Sequence, residues 1–112
     1  HVSMSTHAAR KMRTILGNVQ SVLAIELIVA AQAVEWRVSM MNGVPEAHTI
    51  ADAETQAKAF ESAVSGRASQ IAQLLGRGSA ELYLRIRRLV DPLFADRPLH
   101  EAIRRVKLAI TS

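Results

Sequence analysis

Four histidines and the Asp, Glu and Ser side chains are the groups in this chain that could carry acid–base, nucleophilic or metal chemistry, and their spacing limits what they can do. His1, His7, His48 and His100 include no pair four residues apart, the helical spacing that puts two imidazoles on one metal, and no carboxylate cluster joins them. Each reads as a surface or capping residue. There is no cysteine, which removes thiol nucleophiles, thiolate metal sites and disulfides together. No G-x-S-x-G elbow presents a nucleophilic serine, nothing marks a Ser-His-Asp arrangement, and no glycine-rich loop is built to cradle phosphate. Gly76–Gly78 ("GRG") is too short for that and reads as a turn. The residue that local pattern makes unusual is Glu26, a carboxylate in the middle of the run "VLAIELIVAAQAV", Val22 to Val34. A carboxylate there is costly unless paired or hydrogen-bonded. It reads either as a perturbed catalytic acid or, the reading we favour, as a buried structural carboxylate meeting an Arg or a backbone group of a neighbouring helix.

The elements that position these groups are helical. Of 112 residues, 49% are hydrophobic but only 4% aromatic, so the core must be aliphatic and rich in helix-favouring Ala and Leu. The pattern predicts an all-α chain, one helical segment over 1–112, with no alternating strand pattern and no internal repeat. A long buried helix is expected over about 6–41, capped by Ser5 or Thr6 and ended by Asn42-Gly43 and Pro45. Three shorter helices should follow, with connecting loops at 42–49 and 76–79. The second helical stretch runs over about 49–75, with Thr49 as cap and Asp52 three residues on. Ile50, Ala53, Ala57, Phe60 and Val64 draw one stripe, Gly66 interrupts it, and Ile71, Leu74 and Leu75 resume it. Ser79 caps a third helix with Leu82, Ile86 and Leu89 inward, which stops before Pro92. Asp96 caps a fourth with Pro98 in its first turn and a stripe of Leu99, Ile103, Val106 and Ile110.

The first helix poses a packing problem. Its first half carries Arg10, Lys11, Arg13, Asn18 and Gln20, whereas Val22–Val34 is apolar almost all round. A helix that is apolar on every side must be surrounded by other helices, and a chain this small has few to offer. Val22, Leu23, Ile25, Leu27, Ile28 and Ala31 are therefore candidate core and oligomer contacts, with the missing neighbours in another chain or another part of the protein. The run is short for a bilayer span and carries Glu26 and Gln32, so we expect no membrane. The formal charge is +4, from 14 basic and 10 acidic residues, but no aromatics interleave with the basic clusters to stack bases, so we expect no nucleic acid. The lack of Cys fits a cytoplasmic protein.

Taken together, "HVSM" (His1–Met4), Ala8–Arg10, Ala24–Glu26, Ala30, Gln32–Ala33, Trp36–Arg37, Leu89–Phe94 and Asp96–Arg97 resemble the C-terminal part of the histidine ammonia-lyases, within the aromatic amino acid ammonia-lyase and aminomutase family. The resemblance is close over 1–41 and loose over 79–104, while 44–78 does not align with the family pattern. It implies a helical bundle in a homotetramer whose active sites combine residues of several subunits, and non-oxidative elimination of ammonia from L-histidine to give urocanate. It also implies that His1 follows a cut: the family's pocket carboxylate lies just before HVSM. No catalytic, cofactor-binding or metal residue is then expected in this chain, which should be inactive alone. The family's methylidene-imidazolone electrophile forms from an Ala-Ser-Gly far upstream. Ser65-Gly66 is no substitute, because it follows Val64, lies on the wrong side of HVSM and lacks the Asp-Leu that follows the family tripeptide. The partners implied are the remainder of the lyase and other copies of it. Alternatives are a segment of a tyrosine or phenylalanine ammonia-lyase or aminomutase, and a stand-alone helical interaction module without catalysis.

Overall fold

A computed structural model describes residues 2–94 and 96–111, with side chains from residue 5 onward; His1 and the side chains of the HVSM motif lie outside the described residues. The chain is all-α, in the order α1 (Val2–Met41), α2 (Ile50–Val64), α3 (Ala68–Ala72), α4 (Arg77–Leu89) and α5 (His100–Thr111). No strand occurs among the described residues.

α1 sets the shape. Its 40 residues at 1.5 Å rise span about 60 Å, and the longest dimension of the molecule is 63 Å against 34 and 18 Å for the others. The radius of gyration is 18.2 Å, where a compact chain of this length would have about 13 Å. The accessible surface is 8281 Å², whereas a compact folded monomer of this mass exposes about 6,100 Å². The surplus lies largely on α1. Every described side chain from 5 to 16 is exposed, and Met12, Ile15, Leu16, Val19 and Val29 stand open to solvent.

The other helices cover only part of α1. α5 packs against it most extensively, with α2 and α4 making smaller contacts. Lys107 of α5 reaches Gly17, where an added Cβ would meet Nζ at 3.9 Å. The buried residues of α1 are Ala24, Ala31, Glu35 and Ser39, a 7-4-4 spacing that marks one narrow stripe. Around it gather Phe60, Val64, Ile71, Ala72, Tyr83, Ile86, Val90 and Val106. The aromatics focus this core: Trp36 stacks on Phe60 at 4.0 Å between centroids, and Phe94 meets Phe60 edge-on at 5.8 Å. Such pairs add about 0.5–1.5 kcal/mol beyond their burial.

Two expected boundaries have a clear physical origin. α1 ends in a Schellman motif: Val44 N–H donates to Ser39 C=O and Gly43 N–H to Met40 C=O, with Gly43 at φ +90°, so the last carbonyls are satisfied by a residue tolerant of that conformation. α2 starts at the Thr49 cap, whose Oγ1 accepts from Asp52 N–H at 3.1 Å, and the loop before it covers 42–49.

Other boundaries differ from expectation. α1 already runs from Val2, so Ser5 and Thr6 lie inside it rather than capping it. The 49–75 stretch is two helices, because Gly66 turns the chain at φ +69°; the count after α1 is four, not three. α4 starts at Arg77 after an uncapped Gly76, so Ser79 lies within the helix and the connection falls at 73–76. α5 starts at His100, leaving Asp96 and Pro98 ahead of it. Ile50 and Leu74 are exposed, the first at a helix start and the second in the turn after α3. The run Val22–Val34 is by itself shorter than a bilayer span, but the helix that contains it extends well beyond it on both sides. α1 contains an 18-residue window of mean hydropathy 1.7 and is long enough to cross a membrane, by length and composition only.

The two glycines at helix junctions separate strain from propensity. Gly66→Ala forces a Cβ into the left-handed region with no neighbour to clash with, and should cost about 1–2 kcal/mol. Gly78→Ala, inside α4 with open space around it, should instead raise stability by about 0.5–1 kcal/mol. Urea unfolding of the two variants should move the midpoint in opposite directions.

Candidate functional site

The polar chemistry of the fold gathers where α1 crosses α4. Glu35 lies on the covered stripe of α1 and is completely buried. Arg87, in the last turn of α4, donates Nε to Glu35 Oε1 at 2.6 Å and Nη2 to the same oxygen. Its Nη1 donates to Val90 C=O at 3.1 Å, so one guanidinium both pairs the carboxylate and closes the C-terminus of its own helix. Both side chains are nearly inaccessible, at 0% for Glu35 and 5% for Arg87. One turn earlier on α4, the Tyr83 ring lies 5.9 Å under the Arg87 guanidinium. Glu35 Oε2 and the Tyr83 hydroxyl are both buried without a hydrogen-bond partner among the described residues.

Burial dominates the electrostatics. It pushes the Glu35 carboxyl above its ordinary value, while the charge and hydrogen bonds of Arg87 pull the other way. It also raises the Tyr83 hydroxyl, helped by the nearby Glu35 charge and opposed by Arg87. The pair is taken out of water, and desolvation outweighs the attraction unless every lone pair is satisfied, which Oε2 is not.

A second polar device fixes the segment after α4. Gln32 Nε2 donates to Leu93 C=O at 2.9 Å, and Leu93 N–H donates to Gln32 Oε1 at 3.0 Å. The amide imitates one rung of a β-ladder and holds the segment over 90–94 on α1, where Phe94 meets Phe60. A cavity of about 430 Å³ opens beside it, lined by Glu35, Tyr83 and Arg87 on one side and by Val64, Pro92 and Phe94 on another. Among the described residues no group of three or more His, Asp or Glu is placed to hold a metal ion.

The expected site residues divide by face. Ala31 is buried, and Leu27 and Ile28 are partly buried against the core. Val22, Leu23 and Ile25 are exposed at 53%, 42% and 44%; the described part of this chain leaves them uncovered. Glu26 is exposed too, so the buried carboxylate expected at 26 is found at Glu35 instead. The two are nine residues apart, and nine steps of 100° make two and a half turns: they sit on opposite sides of α1. Glu35 lies just past the apolar run, where a charged residue reads as its polar end. The stripe Ala24–Ala31–Glu35–Ser39, continued at helical spacing, is the signal that singles it out.

Residues 1–63 match the family described as aromatic amino acid lyase. The chain is similar to a histidine ammonia-lyase of Caldanaerobacter subterraneus subsp. tengcongensis, 36% identical over 100 residues, which is 89% of this chain and 13% of that protein. Shorter matches are to the histidine ammonia-lyases of Symbiobacterium thermophilum, 64% identical over 36 residues, and Deinococcus radiodurans, 57% over 37, covering 32% and 33% of this chain and 7% of each relative. The chain thus spans a small part of the relatives it matches. No solved structure gives a significant match.

Removing Arg87 tests the electrostatic reading. Arg87→Met leaves Glu35 buried without its cation and should cost about 3–5 kcal/mol near pH 7. A carboxyl raised by burial favours the folded state when protonated, so its contribution is complete below the unfolded value near 4.5 and is lost as pH rises through the folded one. Without Arg87 the folded value climbs further. The deficit of Arg87→Met should therefore shrink from near pH 7 to near pH 5 in urea unfolding, and adding Glu35→Gln should recover much of it at near pH 7. An equal deficit at both pH values contradicts this account.

Proposed function

The chain belongs to the aromatic amino acid lyase family, and from that premise we propose that it is the C-terminal scaffold and oligomerisation segment of a histidine ammonia-lyase-like enzyme. The observation that carries the reading is the uncovered face of α1. The chain exposes about 2,200 Å² more than a compact monomer of its mass, and an obligate interface buries on the order of 2,000 Å² or more in total. That surface is apolar, continuous along α1 and opposite the Glu35 stripe. The occupants on this reading are helices from the remainder of the lyase and from other copies, as in the homotetramer that the resemblance implies.

Protein is a better cover for this face than lipid. A membrane-crossing α1 would carry Glu26 into hydrocarbon, where a charge is costly, and its opposite side is already committed to α2, α4 and α5. In a protein assembly Glu26 can gain a neighbour that answers its charge. The reading is of a cytoplasmic enzyme part with no nucleic-acid role. The names of the relatives support histidine over tyrosine or phenylalanine as the parent substrate.

On this reading the reaction's electrophile, the methylidene-imidazolone group, forms from an Ala-Ser-Gly outside these residues and supplies an electron sink that permits loss of ammonia. Ser65 and Gly66 do not fit it: Ser65 ends α2, its N–H donating to Glu61 C=O at 2.8 Å, and Gly66 makes the turn to α3. The chain's own contribution is to hold α1 straight and fixed, through Glu35–Arg87 and the Gln32 clamp, so that its open face is presented as one rigid surface.

Two measurements test this. The purified chain should associate at tens of micromolar in sedimentation equilibrium, and Leu23→Asp should return it towards monomer. Leu23 is exposed in the isolated chain, so its helix content should be unchanged, whereas a charge buried at the interface costs about 3–5 kcal/mol. The chain alone should give no increase in urocanate absorbance with histidine. A compact monomer by sedimentation, or sustained turnover by the chain alone, overturns the reading.

A further inference from the structure

We propose that α1 pairs antiparallel with α1 of a second copy of this chain, in one register that sets Glu26 of each copy against Arg37 of the other. This inference rests on the reading of the open face as an oligomerisation surface and names its occupant, orientation and register.

The open face carries charge as well as hydrocarbon. From residue 19 to the end of α1 the charged side chains are Glu26, Glu35 and Arg37. Glu35 lies on the covered stripe, whereas Glu26 and Arg37 are exposed, and neither takes part in an ion pair among the described residues. Eleven steps of 100° make three turns and about 20°, so the two lie on one line along the helix. Their separation of about 16 Å along the axis is too great for them to pair within one chain. Each therefore needs an opposite charge from outside, and a second copy holds the matching set.

The spacing fixes orientation and register. Leu23, Glu26, Ala30, Ala33, Arg37 and Met40 recur at alternating intervals of three and four, the seam of a paired helix, and all six are exposed. The row is self-complementary when reversed about the midpoint between Ala31 and Gln32. Leu23 then meets Met40, Glu26 meets Arg37 and Ala30 meets Ala33, each layer occurring twice by the two-fold axis. A parallel pair in register instead sets Glu26 on Glu26 and Arg37 on Arg37. The small side chains fall at the centre of the antiparallel pair, so Ala30 and Ala33 allow the axes to approach to about 8 Å. Leu23 and Met40, each 42% exposed, close both ends of the ion-paired stretch with apolar contact. The chain has the surface for this: its surplus of about 2,200 Å² exceeds the roughly 800 Å² per partner of a standard interface. The pairing uses the C-terminal half of α1 and leaves Met12, Ile15 and Leu16 open for other helices.

The chain has no cysteine, so introduced thiols report the geometry without background. Leu23→Cys and Met40→Cys chains, mixed and treated with a short bismaleimide, should give a cross-linked dimer. Leu23→Cys alone should give none, because the two positions 23 then lie about 25 Å apart along the axis. Glu26→Arg and Arg37→Glu should each self-associate about a hundred-fold more weakly in sedimentation equilibrium, since each sets like charges together in two layers. An equimolar mixture of these two variants should associate as tightly as the unsubstituted chain, because every such layer again pairs opposite charges. Both residues are exposed, so helix content should not change, and recovery in the mixture excludes misfolding as the cause of the loss. Cross-linking of Leu23→Cys alone shows a parallel pair and overturns the proposal. So does association in which the mixed thiol variants give no cross-link, either charge reversal is silent, or the charge-reversed mixture stays dissociated; the oligomerisation reading outlasts those results. A monomer at tens of micromolar overturns both.

Discussion

A forty-residue helix exposes more side-chain surface than the short helices that follow it can cover, and the organisation of the chain follows from that constraint. α5 lies along α1, and α2 and α4 touch it, but all of them fall on one side. The fully buried line on the side they cover is small-residue and polar, Ala24, Ala31, Glu35 and Ser39, flanked by the partly buried Leu27, Ile28, Trp36 and Val38. The side they leave is aliphatic: Ile15, Val19, Val22 and Val29. In an ordinary monomer the aliphatic side would face inward, because its burial is the main favourable term in folding. The inversion is intelligible if the covered side is specified by shape and hydrogen bonding, and the open side is reserved for a larger apolar association.

The covered side is specified in this way. Alanines let α2, α4 and α5 approach closely but contribute little transfer energy, so the fixing is done by directional groups. Glu35–Arg87 joins α1 to α4, Gln32 joins α1 to the backbone at Leu93, and Arg87 joins α4 to Val90. A buried ion pair is weak evidence of stability, since desolvation offsets much of its attraction. It is better at excluding alternatives, because any register that separates the partners strands a charge in the core. The aromatic group of Trp36, Phe60 and Phe94 supplies the apolar attraction beside it. One side of α1 is thus built for a unique arrangement within the chain, and the other for burial between chains.

Much of this is legible in the sequence, and the limits have physical reasons. The all-α class, the extent of α1, the Thr49 cap and the loop over 42–49 rest on local signals: composition, Asn42-Gly43 and Pro45, and a hydroxyl ahead of a stripe. Gly66 is visible as an interruption but not as a full break, because a helical glycine costs only about 1 kcal/mol and whether the chain turns there depends on what α3 packs against. Asp96 and Ser79 fail as caps for the same reason: many hydroxyls and carboxylates are able to cap, and tertiary packing chooses among them. The buried carboxylate is Glu35 rather than Glu26 because an apolar run does not by itself ensure burial. Hydrophobicity measures the benefit of burial, not whether the chain has the material to achieve it, and here the most apolar stretch is the one the chain leaves uncovered.

The geometry of nine residues resolves the role of the two glutamates. Glu26 and Glu35 project from opposite sides of α1, so no single neighbour can serve both. Glu35 meets its cation, Arg87, within the chain. Glu26 stands among Val22, Leu23, Ile25 and Val29, on the surface an association would remove from water. Covering that surface with another apolar helix alone would strand a charge. The covering surface must therefore carry a donor or a cation opposite Glu26, and that requirement fixes how far a partner can slide along α1. A helix that buries Leu23 without answering Glu26 gains hydrophobic area at the cost of an unpaired carboxylate. The charge on the open face thus does for assembly what Glu35 does for folding, selecting one register from among many of similar area.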